Sequence, residues 1–378
     1  MPGVLVLGGY GAFGRRLCRL LAGSPEIPVF VAGRRLDAAR AACRELGLAE
    51  HAAVALDRQL AGEASAVLRR LRPAVVVDAA GPFQGRNYGF AAQVAALGIH
   101  VVDLADDRTY VTGIGGLDAP ARAAGVLVTS GASTVPALSV AVVDYLREGL
   151  ESVESIDVGI SPGHRGPRGE ATVRAVLANC GKSIPAVAPA HRTVRQGWGD
   201  LTRHRYPRPV GARWLSNVDV PDIALLPARC PGVATITLRA GLELSVLHLG
   251  LSLASQLVAL GWVRSLEPAT GLCRAIAAAL NFAGSDAGAM HVTLVGRRGA
   301  ARLARHWTLV AEAGDGPFVP ASAASAIAKR LCAAAGYAPL DVRGARPCVG
   351  LLSLEDLVRE LRGRAIRTVM SETRLAGG

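Results

Sequence analysis

Apolar residues gather in short runs of strand length through the first third of the chain, at Val4–Leu7, Val29–Ala32, Ala52–Leu56, Ala74–Val77, His100–Leu104 and Val126–Thr129. Between these runs the apolar positions recur every three or four residues, as in Leu17, Leu20 and Leu21, or Phe90, Ala91, Val94 and Leu97. That spacing puts them on one face of a helix. Unbroken apolar strands alternating with amphipathic helices indicate a parallel sheet covered on both faces, because each parallel crossover needs a helix. Six such units predict an α/β fold, a doubly wound parallel sheet in the order 3-2-1-4-5-6 with its ligand crevice where that order reverses.

The alternation stops near Ser133. Later strand candidates, Ser155–Ile160, Ala234–Leu238, His291–Val295 and Trp307–Ala311, are separated by long Pro- and Arg-rich or helical stretches, which predicts a mixed or antiparallel sheet in a second, α+β domain. The expected division is residues 1–133 for the parallel-sheet domain and 134–349 for substrate binding and oligomerisation, with the end of the chain, 350–378, packing back on the first domain through a helix at Leu354–Leu361. Leu247–Val263 is the most apolar stretch, yet His248, Ser252, Ser255 and Gln256 interrupt it. It reads as a helix buried in the second domain, with an interfacial or hydrophobic-substrate surface as the alternative, and no membrane span is expected. More apolar surface than one small domain readily hides makes a homodimer through this domain the expected assembly.

Composition changes this picture little. At 378 residues, with 51% hydrophobic and 19% charged residues, the chain is globular, and no basic segment leading into an apolar core marks a secretory signal. Seven scattered cysteines without a CxxC spell neither a disulfide framework nor a zinc site, so a cytoplasmic location is expected. The net charge of +12 raises the question of nucleic acid, but only Lys182 and Lys329 are lysines and the other forty basic residues are arginines spread through an alanine-rich chain. That distribution favours codon bias over a selected phosphate-binding face. One cluster stands out: Arg192, Arg195, Arg203, Arg205, Arg208 and Arg213 with Trp198, Tyr206 and Trp214 interleaved, opposed only by Asp200. A solvated loop, an anionic-substrate site and a nucleic-acid surface all fit it, and no specific nucleic acid is expected.

The first strand runs into Gly9-Tyr10-Gly11-Ala12-Phe13-Gly14, a GxGxxG turn at the mouth of the first helix. Gly9 suits the tight turn, Gly11 the close approach of a pyrophosphate and Gly14 the packing of helix on strand, while the helix N-terminus offers its free N–H groups to phosphate. About twenty residues on, where an NAD-binding protein places an acid for the ribose hydroxyls, stand Arg34 and Arg35. A guanidinium favours a 2′-phosphate in two-pronged pairing, so NADP(H) is the expected cofactor. Asp57 ends the third strand, placed either for the adenine edge or as a helix cap. Asp78 to Phe83 ends the fourth strand with small residues that leave room for the cofactor. Asp103, Asp106, Asp107 and Tyr110 follow the fifth strand, and Ser133 and Thr134 the sixth. Hydride transfer to a polar double bond needs a matching proton, which Asp106 or Tyr110 could relay; in the second domain, His164 in the loop Ser161–Gly169 is a further candidate, with Arg165 or Arg168 to clamp a carboxylate. No metal-ligand spacing is found among the histidines.

Together, GGYGxFG from Gly8 to Gly14, the GRR after the second strand, AAGPFQG from Ala79 to Gly85 and HVVDLADD from His100 to Asp107 resemble the saccharopine dehydrogenase-like (saccharopine reductase) oxidoreductases. The resemblance continues in Gly284–Gly288, in Trp307, and in Gly316–Pro320 leading into an alanine-rich helix, which look like the second domain of the stand-alone bacterial members. It implies NADP(H) binding by Tyr10, Gly11, Ala12, Phe13 and Gly14, by Arg34 and Arg35, and by Ala80, Gly81 and Pro82. It carries no substrate, since the group includes amino-acid-forming reductases, polyamine-precursor dehydrogenases and enoyl reductases. The expected activity is NADP(H)-dependent reduction of an imine or conjugated double bond in a small metabolite, anionic or hydrophobic. A redox-inactive NADPH sensor or scaffold is the alternative.

Overall fold

The computed structural model describes residues 3–166, 169–184 and 195–375, and the fold is α/β. Strands and helices are numbered along the chain. Two compact units emerge, Met1–Leu138 with Pro317–Leu361, and Ser139–Gly316 with Arg362–Gly378.

In the first unit, β1 (Val4–Leu7), β2 (Val29–Gly33), β3 (Ala53–Ala55), β4 (Val75–Asp78), β5 (His100–Asp103) and β6 (Leu127–Ser130) form a parallel sheet in the order 3-2-1-4-5-6. The six apolar runs fall on these strands. A seventh, β15 (Gly344–Pro347), joins parallel to β6 from the far end of the sequence. β1, β4 and β6 are buried at every position, as strands covered on both faces require. One face carries α3 (Ala61–Leu71), α4 (Gly89–Ala96) and α6 (Asp118–Ala123), whose Leu68, Val94 and Ala121 meet Leu5, Val76 and Val101 in one apolar cluster. α1 (Ala12–Leu21) and α2 (Leu36–Leu46) follow β1 and β2, while α5 (Arg108–Gly113) follows β5.

The segment that rejoins this unit late in the chain centres on α12 (Val319–Leu331), which packs against α1, β4 and β5. Seven of its ten buried positions are alanine or serine. Small side chains let a helix lie close to a surface that is already occupied. α13 (Leu354–Glu360) is tied to α12 by a buried ion pair, Lys329 Nζ to Glu360 Oε2 at 2.9 Å. Ser325 Oγ and the Tyr337 hydroxyl also donate to Glu360, so both its carboxylate oxygens are occupied.

The second unit opens with α7 (Ser139–Leu146) and β7 (Ser152–Ser161), continues through α8 (Glu170–Asn179), and carries a small ladder of β8 (Ser183–Ile184) with β9 (Arg195–Gln196). Its main sheet is mixed: β10 (Thr202–Arg205), β11 (Ala212–Asn217), β12 (Thr235–Ala240), β7, β13 (Gly288–Arg298), β14 (Ala301–Ala311) and β16 (Ile366–Leu375), in that order. Only β12 and β7 pair in parallel; every other pairing is antiparallel. The second-half strand candidates lie on β7, β12, β13 and β14, whereas β10, β11 and β16 follow no clear alternation of apolar residues. α7 packs on β13 and β14, and α9 (Asp222–Arg229) packs on β12.

The apolar stretch near residue 250 departs from expectation. α10 (Ser245–Ala259) buries His248, Ser252 and Ser255 and turns Val246, Leu249 and Leu253 outward, with Leu253 at 72% exposure. The polar groups go inside because partners wait there: His248 Nε2 meets Ser216 Oγ at 3.0 Å, its Nδ1 accepts from the Leu242 amide, and Ser255 Oγ donates to the Ser252 carbonyl. A buried polar side chain with its hydrogen bonds made is tolerated, and the leucines are left on the surface. α11 (Thr270–Ala279) likewise exposes Leu272 and Ile276. No helix among the described residues is long and apolar enough to cross a membrane.

The basic cluster is divided. Arg192 lies outside the described residues; Trp198 and Tyr206 are buried, and Arg213 pairs in the interior with Glu243 at 3.0 Å. The two buried rings are thus shut off from stacking on a base, and Arg203 and Arg205 remain exposed on β10.

Lys329→Met should lower the free energy of unfolding by about 3 to 5 kcal/mol, because it leaves the Glu360 charge buried without its cation. The double variant Lys329→Met with Glu360→Leu should recover most of that loss. Urea denaturation of both variants checks this, and a Lys329→Met protein as stable as the parent would refute it.

Candidate functional site

The carboxyl ends of β1, β2 and β4 stand side by side, with Leu7 opposite Ala32 on one flank and opposite Asp78 on the other. This is where the strand order reverses. The turn leaving β1 takes its left-handed residue at Gly8 (φ +76°), one position earlier than the motif assigns it; Gly9 does not adopt a positive φ. Gly14 plays the expected part: a Cβ there would collide with the Gly8 carbonyl oxygen, so only glycine lets α1 start this close to the turn. A Cβ on Gly8 would stand 3.1 Å from Ala80, so the turn rests directly on the chain leaving β4.

α1 begins at Ala12 with Gly11 in the N-cap position, no side chain capping it and no acid in its first turn. The first N–H groups of such a helix point outward with the positive end of its dipole, which suits phosphate. Tyr10 reaches sideways to the end of β2, where its hydroxyl accepts a hydrogen bond from the Arg35 amide at 3.2 Å and its ring underlies the Arg35 guanidinium. Arg34 and Arg35 are both exposed. Asp57 does not cap α3, whose N-cap position is Leu60; its Oδ1 accepts from the Gln59 amide at 3.0 Å in a local turn.

Beyond β4, Ala80 donates its amide to Asp78 Oδ1 at 2.9 Å, and Arg58, arriving from the end of β3, donates to both Asp78 and the Ala80 carbonyl. The Arg58 guanidinium also stands over the Phe83 ring. Burial pushes the Asp78 carboxyl above its usual range against the pull of Arg58. Pro82 gives its carbonyl to Arg86 Nε. Gly81 lies exposed between them. Neither Arg58, shortly after β3, nor Arg86, well along the loop after β4, stands out in the sequence.

At the end of β5 the predicted residues separate by environment. Asp106 is exposed and Asp107 caps α5 by accepting from the Tyr110 amide. Tyr110 is buried, its ring 5.3 Å from Phe83 and 4.9 Å from Tyr88, and burial raises its phenol above the ordinary value. Asp103, opposite Asp78 in register, is buried and accepts from the Ala105 and Gly131 amides and from Ser130 Oγ. Burial outweighs those donors and lifts its carboxyl to about 7.

His164 belongs to the second unit. It is buried, its amide donates to Glu243 Oε2 at 2.5 Å and its Nε2 meets the Ala277 carbonyl at 2.8 Å, so the imidazole ties its loop to α11. Arg165 donates to carbonyls of Asn281 and Phe282, and Arg168 lies outside the described residues. The second sheet carries a further network that the sequence did not signal: Tyr206 Oη to His291 Nδ1 at 2.9 Å, His291 Nε2 to Asp157 at 3.0 Å, and Asp157 to Arg239. His204 stacks on His291 at 3.7 Å.

No protein-family model and no curated protein matches the chain. Among solved structures it is similar to the apo form of saccharopine dehydrogenase (L-glutamate forming) from Saccharomyces cerevisiae, at 15% identity over 98% of this chain and 100% of that one, with a TM-score of 0.65. The likeness is one of fold. A probable dehydrogenase from Thermotoga maritima (9% identity, 95% and 93% covered, TM-score 0.48) and an amine dehydrogenase from Mycobacterium smegmatis (12%, 91% and 96%, 0.45) match more weakly.

The raised Asp103 carboxyl gives stability a defined pH dependence. Its folded value lies above the unfolded one, near 3.9, so the folded state holds the proton more tightly and stability falls as pH rises from about 4 to about 7. Asp103→Asn should remove that part of the slope in urea denaturation at stepped pH, and carbon NMR should show a carboxyl in the parent titrating near neutrality; a slope unchanged by the substitution would refute the assignment.

Proposed function

We propose that the chain is an NADP(H)-dependent oxidoreductase that reduces a C=N or conjugated C=C bond of a small metabolite. The observation that carries this is the mouth of β1 and β2: a glycine turn closed to side chains, an uncapped helix start, and two exposed arginines where an acid would mark plain ribose. The residues fit the cofactor. The Gly8–Gly14 turn and the first N–H groups of α1 would hold the diphosphate, Arg34 and Arg35 the 2′-phosphate, and Ala80 to Pro82 the chain of the cofactor as it crosses the switch point. Bound there, the nicotinamide supplies the hydride.

The protein's own contribution is orientation and a proton. Of the three candidate donors, the Tyr110 phenol is packed beneath Phe83 and Tyr88 and the His164 ring is bound to a carbonyl, which leaves Asp106 as the exposed acid. That same shortage favours the second reading, an NADPH-binding sensor that performs no turnover. The exposed apolar side chains of α10 and α11, with Leu260, Trp262 and Phe282, support a homodimer, since apolar side chains left on a surface mark an interaction site when they gather.

Cofactor titration by fluorescence tests the assignment without a known substrate. The parent should bind NADPH in preference to NADH, and Arg34→Ala should weaken NADPH by about 10- to 100-fold, the worth of one charge-assisted bond, with NADH almost unchanged. Equal affinity of the parent for both cofactors would refute it. With an imine or enoyl substrate in hand, Asp106→Asn should keep NADPH affinity and lose about 10²-fold in turnover, whereas unchanged turnover would remove Asp106 from the mechanism.

A further inference from the structure

Two arginines come from the strands on either side of the glycine turn. Arg34 follows β2 and Arg86 lies in the loop after β4, and β2 and β4 flank β1 on opposite sides. Arg34 comes directly after β2 and Arg86 further along the loop that leaves β4, near enough for the charge of Arg34 to act on it. Arg86 is half-buried and held at Nε by the Pro82 carbonyl, so its guanidinium is already oriented. The nearby Asp78 carboxylate is taken by Arg58. Among the described residues, Arg34, Arg35 and Arg86 enter no ion pair.

We propose that Arg86 is a phosphate-binding residue that closes on the nucleotide from the β4 side while Arg34 holds it from the β2 side. This rests on the dinucleotide reading of the crevice and extends it to a residue outside the glycine turn and the Gly33-Arg34-Arg35 motif. Burial, together with the charges of Arg58 and Arg34, holds the Arg86 guanidinium below its ordinary value, so an entering anion relieves a repulsion that is already present. A phosphomonoester carries nearly two charges and three acceptor oxygens, enough for two guanidinium forks. The diphosphate is served by the N–H groups at the start of α1, which makes the 2′-phosphate the expected contact.

Isothermal titration of the full chain with NADPH, NADH, 2′,5′-ADP and 5′-ADP, for the parent, Arg34→Ala and Arg86→Gln, tests this. Glutamine keeps an N–H donor for the Pro82 carbonyl while removing the charge, and circular dichroism checks that the variant is folded. Arg86→Gln should weaken NADPH and 2′,5′-ADP by about 10-fold or more, flatten their salt dependence, and leave NADH and 5′-ADP within about twofold. An equal loss for all four ligands would also support phosphate binding and assign it to the diphosphate. A folded Arg86→Gln protein that binds all four as the parent does, with Arg34→Ala impaired, overturns the proposal and leaves the cofactor assignment intact. A parent that binds neither dinucleotide overturns both.

Discussion

Asp78 ends a fully buried strand beside the glycine turn, and an isolated carboxylate in that position would be strongly disfavoured. Its pairing with Arg58 is therefore the interaction on which the crevice depends. Arg58 starts beyond β3, and the ion pair draws the chain after β3 to the chain after β4, while the second bond of Arg58 fixes the Ala80 carbonyl. Ala80 in turn abuts the Gly8 turn, Phe83 lies under the Arg58 guanidinium, and Pro82 orients Arg86. One neutralised charge thus bears on the position of the turn, of the loop after β4 and of the tilted ring cluster containing Tyr110. Asp103, its register partner on β5, meets the same requirement differently: it draws three hydrogen bonds from the ends of β5 and β6 and, with no cation paired to it among the described residues, holds its proton toward neutral pH.

The second unit settles its polar residues by the same rule on a different scaffold. On its mixed sheet His291, Asp157, Arg239 and Tyr206 satisfy one another. Gly159 sits beside His291 in the β7–β13 register, and any Cβ there would strike the imidazole. In α10 the rule overrides hydrophobicity. His248 and Ser255 have hydrogen-bonding partners within the unit, and the register that satisfies them sends Val246, Leu249 and Leu253 outward.

The parallel sheet was legible because its signal is local. Strands buried on both faces must be apolar throughout, and the helices between them must present one apolar stripe, so β1 to β6 could be placed from periodicity. The glycine turn was legible for a related reason, since Gly14 answers a backbone collision no other residue avoids. Tyr110 and His164 were recognisable as ionisable groups near loops, but their burial was not, because it depends on Phe83 and Tyr88 in one case and on α11 in the other. Arg58 and Arg86 went unmarked among forty arginines, since nothing in their immediate sequence distinguishes a crevice guanidinium from a surface one.

By itself, then, the sequence determined the α/β class, the order of the first six strands and the glycine turn between β1 and α1. Periodicity and steric exclusion act within a few residues and leave their pattern in the chain. The tertiary structure alone decided that β15 and α12 return from beyond residue 316 to complete the first unit, that α10 faces outward, and which charges are paired. Each of those outcomes turns on groups tens to hundreds of residues apart meeting in a medium of low dielectric, where the partner, rather than the residue type, decides whether burial is tolerated.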